Sequence, residues 1–257
     1  MSDWDHLSYY QPDHGKEKSM IADRVEKLPK IELHVHLEGG VQPETLLSLA
    51  KKNNIPLPVH TLTELQSWYQ FTDFTNFLDV YFKICECICS PEDIEYIAKE
   101  FLTRQKEQHI LYSEITYTPY THYTQQRIPI QEQTEALENA KTWAERELGI
   151  SCNYVYDISR NVSPEEGTIT AQWLLENRAQ AVIGLGLGGP EVGFPPERHE
   201  QAFNLIKGTR YAPLPHAGET AGPESVWGAI KTLGAKRIGH GVRSIEDPVL
   251  IDYILDN

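Results

Sequence analysis

Several things are scarce in this chain of 257 residues, and each scarcity removes a class of protein. There are only four cysteines, Cys85, Cys87, Cys89 and Cys152, with no C-x-x-C pair among them. That is not the dense disulfide framework of a small secreted protein, and reduced thiols in the cytoplasm are expected. Basic residues are also few, 23 Lys and Arg against 37 Asp and Glu, for a formal net charge of −14. Nucleic-acid binders need a basic stripe that releases counterions, so no nucleic-acid partner is expected and a small neutral or weakly charged substrate fits better. The first twenty residues hold no apolar run suited to a signal peptide or a membrane span, and no membrane partner is expected. Neither H-E-x-x-H of zinc peptidases nor G-x-S-x-G of serine hydrolases occurs. His36-Leu37-Glu38 imitates the H-x-E of cytidine-type zinc deaminases, but the companion P-C-x-x-C is missing.

What is present reads as one domain, because no break in composition separates the two halves. Residues 1–24 read as a flexible polar leader and residues 25–257 as the folded domain. Strand-like apolar runs occur at 31–37, 110–118, 152–158, 181–187, 212–216 and 237–242. Helical spacing fills the intervals, as in Phe74, Phe77, Leu78, Tyr81, Phe82, Cys85, Ile88 and Cys89. Ser90-Pro91 and Ser163-Pro164 mark helix starts, the second with Glu166 completing a capping box. Another helix is expected from near Pro223 to a stop at Gly234. Strand, helix, strand in repetition demands parallel strands, in a (β/α) barrel or an open doubly wound sheet. The barrel is favoured because three chemically loaded strings end the first, fifth and sixth strands, which a closed ring gathers at one mouth. The stretch 41–109 reads as a helical insertion over that mouth.

Those strings are His34-Val35-His36-Leu37-Glu38-Gly39, His216-Ala217-Gly218-Glu219-Thr220 and Gly239-His240-Gly241. His34 and His36 are two apart, so on a strand they share a face with α-carbons roughly 7 Å apart. With His216 they make three neutral imidazoles, a donor set suited to zinc or another borderline divalent metal. Glu219 is the candidate proton donor, since enclosure can raise a carboxyl pKa. Its competing use is as a cap for the following helix. His240, between glycines, is the candidate base or electrostatic partner of the attacking water; otherwise it is a buried histidine bonded to backbone. Gly184-Leu185-Gly186-Leu187-Gly188-Gly189 formally matches G-x-G-x-x-G, but no helix opens after it. Its glycines are expected to let a flat ligand lie against the strand end.

In combination, Glu32 to Gly39, Leu187-Gly188-Gly189-Pro190-Glu191, His216 to Thr220 and Arg237 to Gly241 resemble the adenosine and adenine deaminases, a family that includes aminodeoxyfutalosine deaminases. The resemblance implies a (β/α)8 TIM barrel of the metal-dependent hydrolase type and one Zn2+ per chain held by His34, His36 and His216. It implies that Glu219 and His240 are catalytic and that His36, Glu38, Gly189 and Glu191 bind substrate. The reaction it implies is hydrolytic deamination of a 6-aminopurine base or nucleoside, of the adenosine type, giving the 6-oxo product and ammonia. Glu38 stands where adenosine deaminases carry aspartate, which leaves adenine and aminodeoxyfutalosine open as alternatives. Only about six of eight strands are expected, and the family's final strands with their paired aspartates are not in this sequence. The expectation is therefore a C-terminally truncated chain, with an inactive fragment that binds purine or a partner without turnover as a further alternative.

Overall fold

A computed structural model describes residues 20–257 of the chain. Most of the expected leader, residues 1–19, lies outside the described residues, while 20–24 begin helix α1 (Met20–Lys27). The Lys30 ammonium donates to the carbonyls of Val25, Glu26 and Leu28 at the end of α1, where a cation is favourably placed.

Six strands follow: β1 (Lys30–His36), β2 (Ile110–Tyr117), β3 (Ser151–Ser159), β4 (Val182–Gly188), β5 (Ala212–Ala217) and β6 (Gly239–His240). All pair in parallel and in chain order. A doubly wound sheet would reverse its strand order at a switch point, and this one does not. Instead the six strands curl as most of a (β/α) barrel, bringing His34 on β1 to 3.2 Å from His240 on β6 through their Nε2 atoms. The outer edges of β1 and β6 are not paired to each other. Between them lies a groove lined by Leu33, Leu214, Ile230 and Ile254.

The sixth strand is shorter than the run 237–242 suggests. His240 and Gly241 take φ of 67° and 65°, which turns the chain out of the extended region, and a short 3-10 helix, Val242–Glu246, follows.

Helices α2 (Pro43–Asn53), α3 (Leu62–Trp68), α4 (Phe74–Cys87) and α5 (Pro91–Glu107) occupy the long interval between β1 and β2. Helices α6 (Pro119–Gln126) and α7 (Ile130–Trp143) precede β3, and α8 (Pro164–Asn177) and α9 (Glu200–Ile206) lie either side of β4 in the sequence. Helix α10 (Pro223–Lys231) joins β5 to β6, and α11 (Pro248–Asp256) comes last. Ser90 Oγ accepts from Asp93 N at 3.3 Å, and Ser163 and Glu166 form the reciprocal capping box. Helix α10 stops at Lys231, short of Gly234, where φ is 70°.

The core fills the space between the outer face of the barrel and the helices, where Tyr154, Tyr156 and Ile158 of β3 join Leu137 of α7 and Leu174 of α8. Because side chains alternate along a strand, the same strand turns Val155, Asp157 and Ser159 toward the barrel interior. All four cysteines are free thiols. Burial pushes the Cys152 thiol up to about 11, so it carries little nucleophilic thiolate at neutral pH. Among the described residues no helix is long and apolar enough to cross a membrane.

Candidate active site

The strand ends converge as the three strings require. Side-chain nitrogens of His34, His36 and His216, one from each residue, all lie within 4.8 Å of one another. Nε2 of His36 is 2.9 Å from Nε2 of His216, and the His34 ring centroid is 4.4 Å from that of His216. Burial disfavours the charged form of each ring. It brings His34 down to about 4, with help from the neighbouring His240 and His36. His36 is lowered by burial against the pull of Glu38, and His216 falls well below the usual histidine range through burial and its imidazole neighbours. Neutral imidazoles have lone pairs to give to a cation.

His240 completes the row. Its Nε2 lies 3.2 Å from His34 Nε2 on one side and 3.5 Å from a Glu219 carboxylate oxygen on the other. The left-handed backbone of His240 is uncommon for a residue with a side chain. It is held by register pairing with Ala217 and by the bond from Gly241 N to Ala217 O at 2.9 Å. Glu219 is half-buried at the pocket rim, and its carboxyl pKa is raised by burial, opposed by His240 and reinforced by the charge of Glu191. The carboxylate does not cap α10: the N-cap there is Gly222, whose amide is met by Glu224.

Glu191 stands behind this arrangement, not in the pocket wall. It is 3 % exposed, and its carboxylate accepts from the backbone amides of Gly218, Glu219, Thr220 and Ala221 and from the Ser225 hydroxyl, at 2.7–3.0 Å. Burial opposes its charge, yet those backbone bonds, the Ser225 bond and the Arg160 charge outweigh it and hold the carboxyl below its ordinary range. Arg160 is fully buried beneath, 3.6 Å from Glu191, and donates to the carbonyls of His216 and Phe194. Glu191 and Arg160 thus fix the turn that carries Glu219.

Glu38 is likewise set back. Its carboxylate accepts from Thr118 N and pairs with His122 Nε2, both at 3.1 Å, and the His122 ring stacks on Tyr117. Of the residues assigned to substrate, His36 and Gly189 line the pocket, while Glu38 and Glu191 support it from behind.

The pocket itself is a cavity of about 210 Å³ with Phe77, Leu78, Tyr81 and Phe82 of α4 on one side and the strand ends on the other. These aromatic and aliphatic groups suit the faces of a flat heteroaromatic ring. Asp157, which the sequence reading passed over, also lines it and is 3 % exposed. A lone carboxylate at the C-terminal end of an apolar strand is the signal that could have found it, the same signal that marks His216. Gly186 and Gly188 of β4 face it, and a Cβ at either position would overlap a carboxylate oxygen of Asp157. The close approach those glycines permit is therefore to Asp157.

The sequence model of the adenosine deaminase family matches residues 29–257. The chain belongs to the adenosine deaminase family. It is 35 % identical over 235 residues to an adenine deaminase of Wolinella succinogenes, covering 91 % of this chain and 70 % of that protein. An adenine deaminase of Pseudomonas putida is 36 % identical over 229 residues, with 89 % and 72 % covered. Among solved structures, an adenine deaminase from Arthrobacter aurescens superposes with a TM-score of 0.83 at 29 % identity, covering 89 % of this chain and 69 % of that one. An amidohydrolase from Burkholderia ambifaria with bound Zn gives a TM-score of 0.86 at 25 % identity, with 94 % and 67 % covered. As a member of the adenosine deaminase family this chain is a hydrolase acting on C–N bonds of cyclic amidines, by hydrolytic deamination.

Proposed function

We propose that this deaminase uses one zinc ion per chain, held by His34, His36 and His216, and that its substrate is a 6-aminopurine, with adenine favoured. The observation that carries the reading is the unbroken row of three clustered imidazoles, His240 and Glu219 along one wall of an aromatic pocket. The donor set fits the metal: three neutral nitrogen ligands, leaving positions open for water and substrate, are what a catalytic zinc site needs. A relative of similar fold carries bound Zn. Adenine is favoured over its nucleoside because the relatives above are named adenine deaminases. Four free thiols suit a reducing compartment, and the proposal sets the enzyme in the cytoplasm.

Bound at this triad, zinc would lower the pKa of a coordinated water to roughly 7. The chain's own residues supply the rest. Glu219, its carboxyl pKa raised by burial, gives a proton to the ring nitrogen beside the amino-bearing carbon, making that carbon electrophilic. His240, between His34 and Glu219, takes a proton from the attacking water as its oxygen adds to that carbon. His240 then passes that proton to the amino group, ammonia leaves as the C–N bond breaks, and the hydroxyl proton returns to the Glu219 carboxylate as the 6-oxo ring is restored. Glu191 holds the backbone of Glu219 throughout.

Ammonia release from adenine, adenosine and aminodeoxyfutalosine by the zinc-loaded chain tests the reading. The highest kcat/KM is expected for adenine, with about one zinc per chain by elemental analysis. A higher value for either nucleoside would move the substrate assignment, and folded, zinc-loaded protein that releases ammonia from none of them would remove the function.

A further inference from the structure

Asp157 has a place in the pocket that no step above uses. Its carboxyl is almost fully buried yet lines the cavity, and its Oδ1 has no hydrogen-bond partner among the described residues. Burying a polar atom without a partner is costly, and folding alone gives no reason to keep it there. The neighbouring strand is shaped around it: β4 has glycine at 186 and 188, the two positions where a side chain would collide with Asp157 oxygens.

Position says what the carboxyl could meet. Strand β4 lies between β3, which bears Asp157, and β5, which leads into Glu219. Both carboxyl groups line the same cavity along with Gly188 and Gly189. A flat ring in that cavity would lie within reach of both carboxyl groups, which come from strands on opposite sides of β4.

Burial, with the charge of Glu38 adding to it and Arg160 opposing, raises the Asp157 pKa well above the carboxylate range. As the acid, the group has an O–H to donate. An aminopurine has lone-pair acceptors at N3 and N7 besides the ring nitrogen assigned to Glu219.

We propose that Asp157 is a specificity-determining residue, donating a hydrogen bond to N3 or N7 of the bound aminopurine. The inference rests on the aminopurine reading of this pocket. It also explains Gly186 and Gly188 of β4, which make room for a side chain that recognises substrate.

The test pairs one protein group with one ligand atom. Adenine, 3-deazaadenine and 7-deazaadenine are titrated calorimetrically into the zinc-loaded wild-type chain, Asp157→Ala and Asp157→Asn, and ammonia release from adenine is measured alongside. Asp157→Ala is expected to weaken adenine binding by about tenfold or more, whereas one of the two analogues binds wild type and Asp157→Ala within about twofold of each other. Asp157→Asn, of the same shape and still a donor, is expected to keep most of the affinity, which separates lost recognition from lost fold. Unchanged adenine affinity in Asp157→Ala, or an equal loss for adenine and both analogues, overturns the inference. Ammonia release without this coupling overturns it alone. Coupling without ammonia release upholds it and overturns deamination, and no binding of adenine to wild type overturns both.

Discussion

The Glu191 carboxylate accepts a hydrogen bond of 3.0 Å from the backbone amide of Glu219, 28 residues further along the chain. The bond is one of four that the same carboxylate takes from consecutive amides, so the loop carrying the proton donor is wound around a single buried anion. Glu191→Gln replaces an acceptor-only group with one that presents an NH2 to some of those amides. A loss of at least about 2 kcal/mol in unfolding free energy is expected, because charged hydrogen bonds are lost and Arg160 is left without its counter-charge. Hydrogen exchange checks the mechanism: the amides of Gly218 to Ala221 should exchange faster than those of β3. Unchanged protection at these four amides would show that Glu191 does not hold the loop.

Gly188→Ala should destabilise the protein because the new methyl overlaps the Asp157 carboxylate, while the nearest atom of any other residue, His216 Cε1, stands at an ordinary 3.5 Å. Asp157→Ala on the same background removes the obstacle. The double-mutant cycle should therefore show a favourable coupling of at least roughly 1 kcal/mol in denaturant unfolding. Additive effects would mean that the glycine serves something other than Asp157.

Asp157 also sets a pH dependence of stability. Below the ordinary aspartate pKa of 3.8 the folded and unfolded chains both carry its proton, and the group is neutral in the balance. As pH rises, the unfolded chain ionises while the folded one keeps its proton, so stability falls until the raised folded pKa is passed. Asp157→Asn cannot ionise. With both proteins held in excess chelator, its stability relative to wild type should grow by at least about 1 kcal/mol between pH 3.5 and 7. A gap that stays constant over that range would show that the carboxyl is not held neutral.

The architecture was legible because local signals agreed. Five of the six expected strands match the observed ones to within one residue at each end, and His34, His36 and His216 meet as the alternation along β1 and the end of β5 require. Glu38 was harder to place. Counting by two from His36 puts it on the same face, but the chain leaves the strand at Leu37 for a 3-10 turn, Glu38–Gly40, that swings its carboxylate to Thr118 and His122. The place of Glu191 behind the pocket is hidden for a related reason, since no local pattern shows that residues 218–221 will fold over it. Asp157 reads as one more strand residue, because the sequence does not reveal that the glycines of β4 stand beside it.

Glu219 gives the deamination step its own pH signature. Its carboxyl pKa is raised by burial, so the proton needed by the ring nitrogen is retained to higher pH than in an exposed glutamate. Activity that needs the acid form is lost as pH rises through that pKa. The kcat/KM profile should show a falling limb above the ordinary glutamate value of 4.5, and Glu219→Gln should lower kcat by about 10²- to 10⁴-fold with zinc content unchanged. A variant of near wild-type rate would take the proton-donor role away from Glu219.

Oxygen-isotope labelling of the product tests the central claim most directly. When the zinc-loaded chain turns over adenine in water enriched with oxygen-18, the 6-oxo product should carry the label at its new oxygen, with one ammonia released per product. Chelation should stop both, and so should replacing His34, His36 or His216 by alanine. Product without label, or label and ammonia that persist at full rate in those histidine variants, would contradict water addition at this triad.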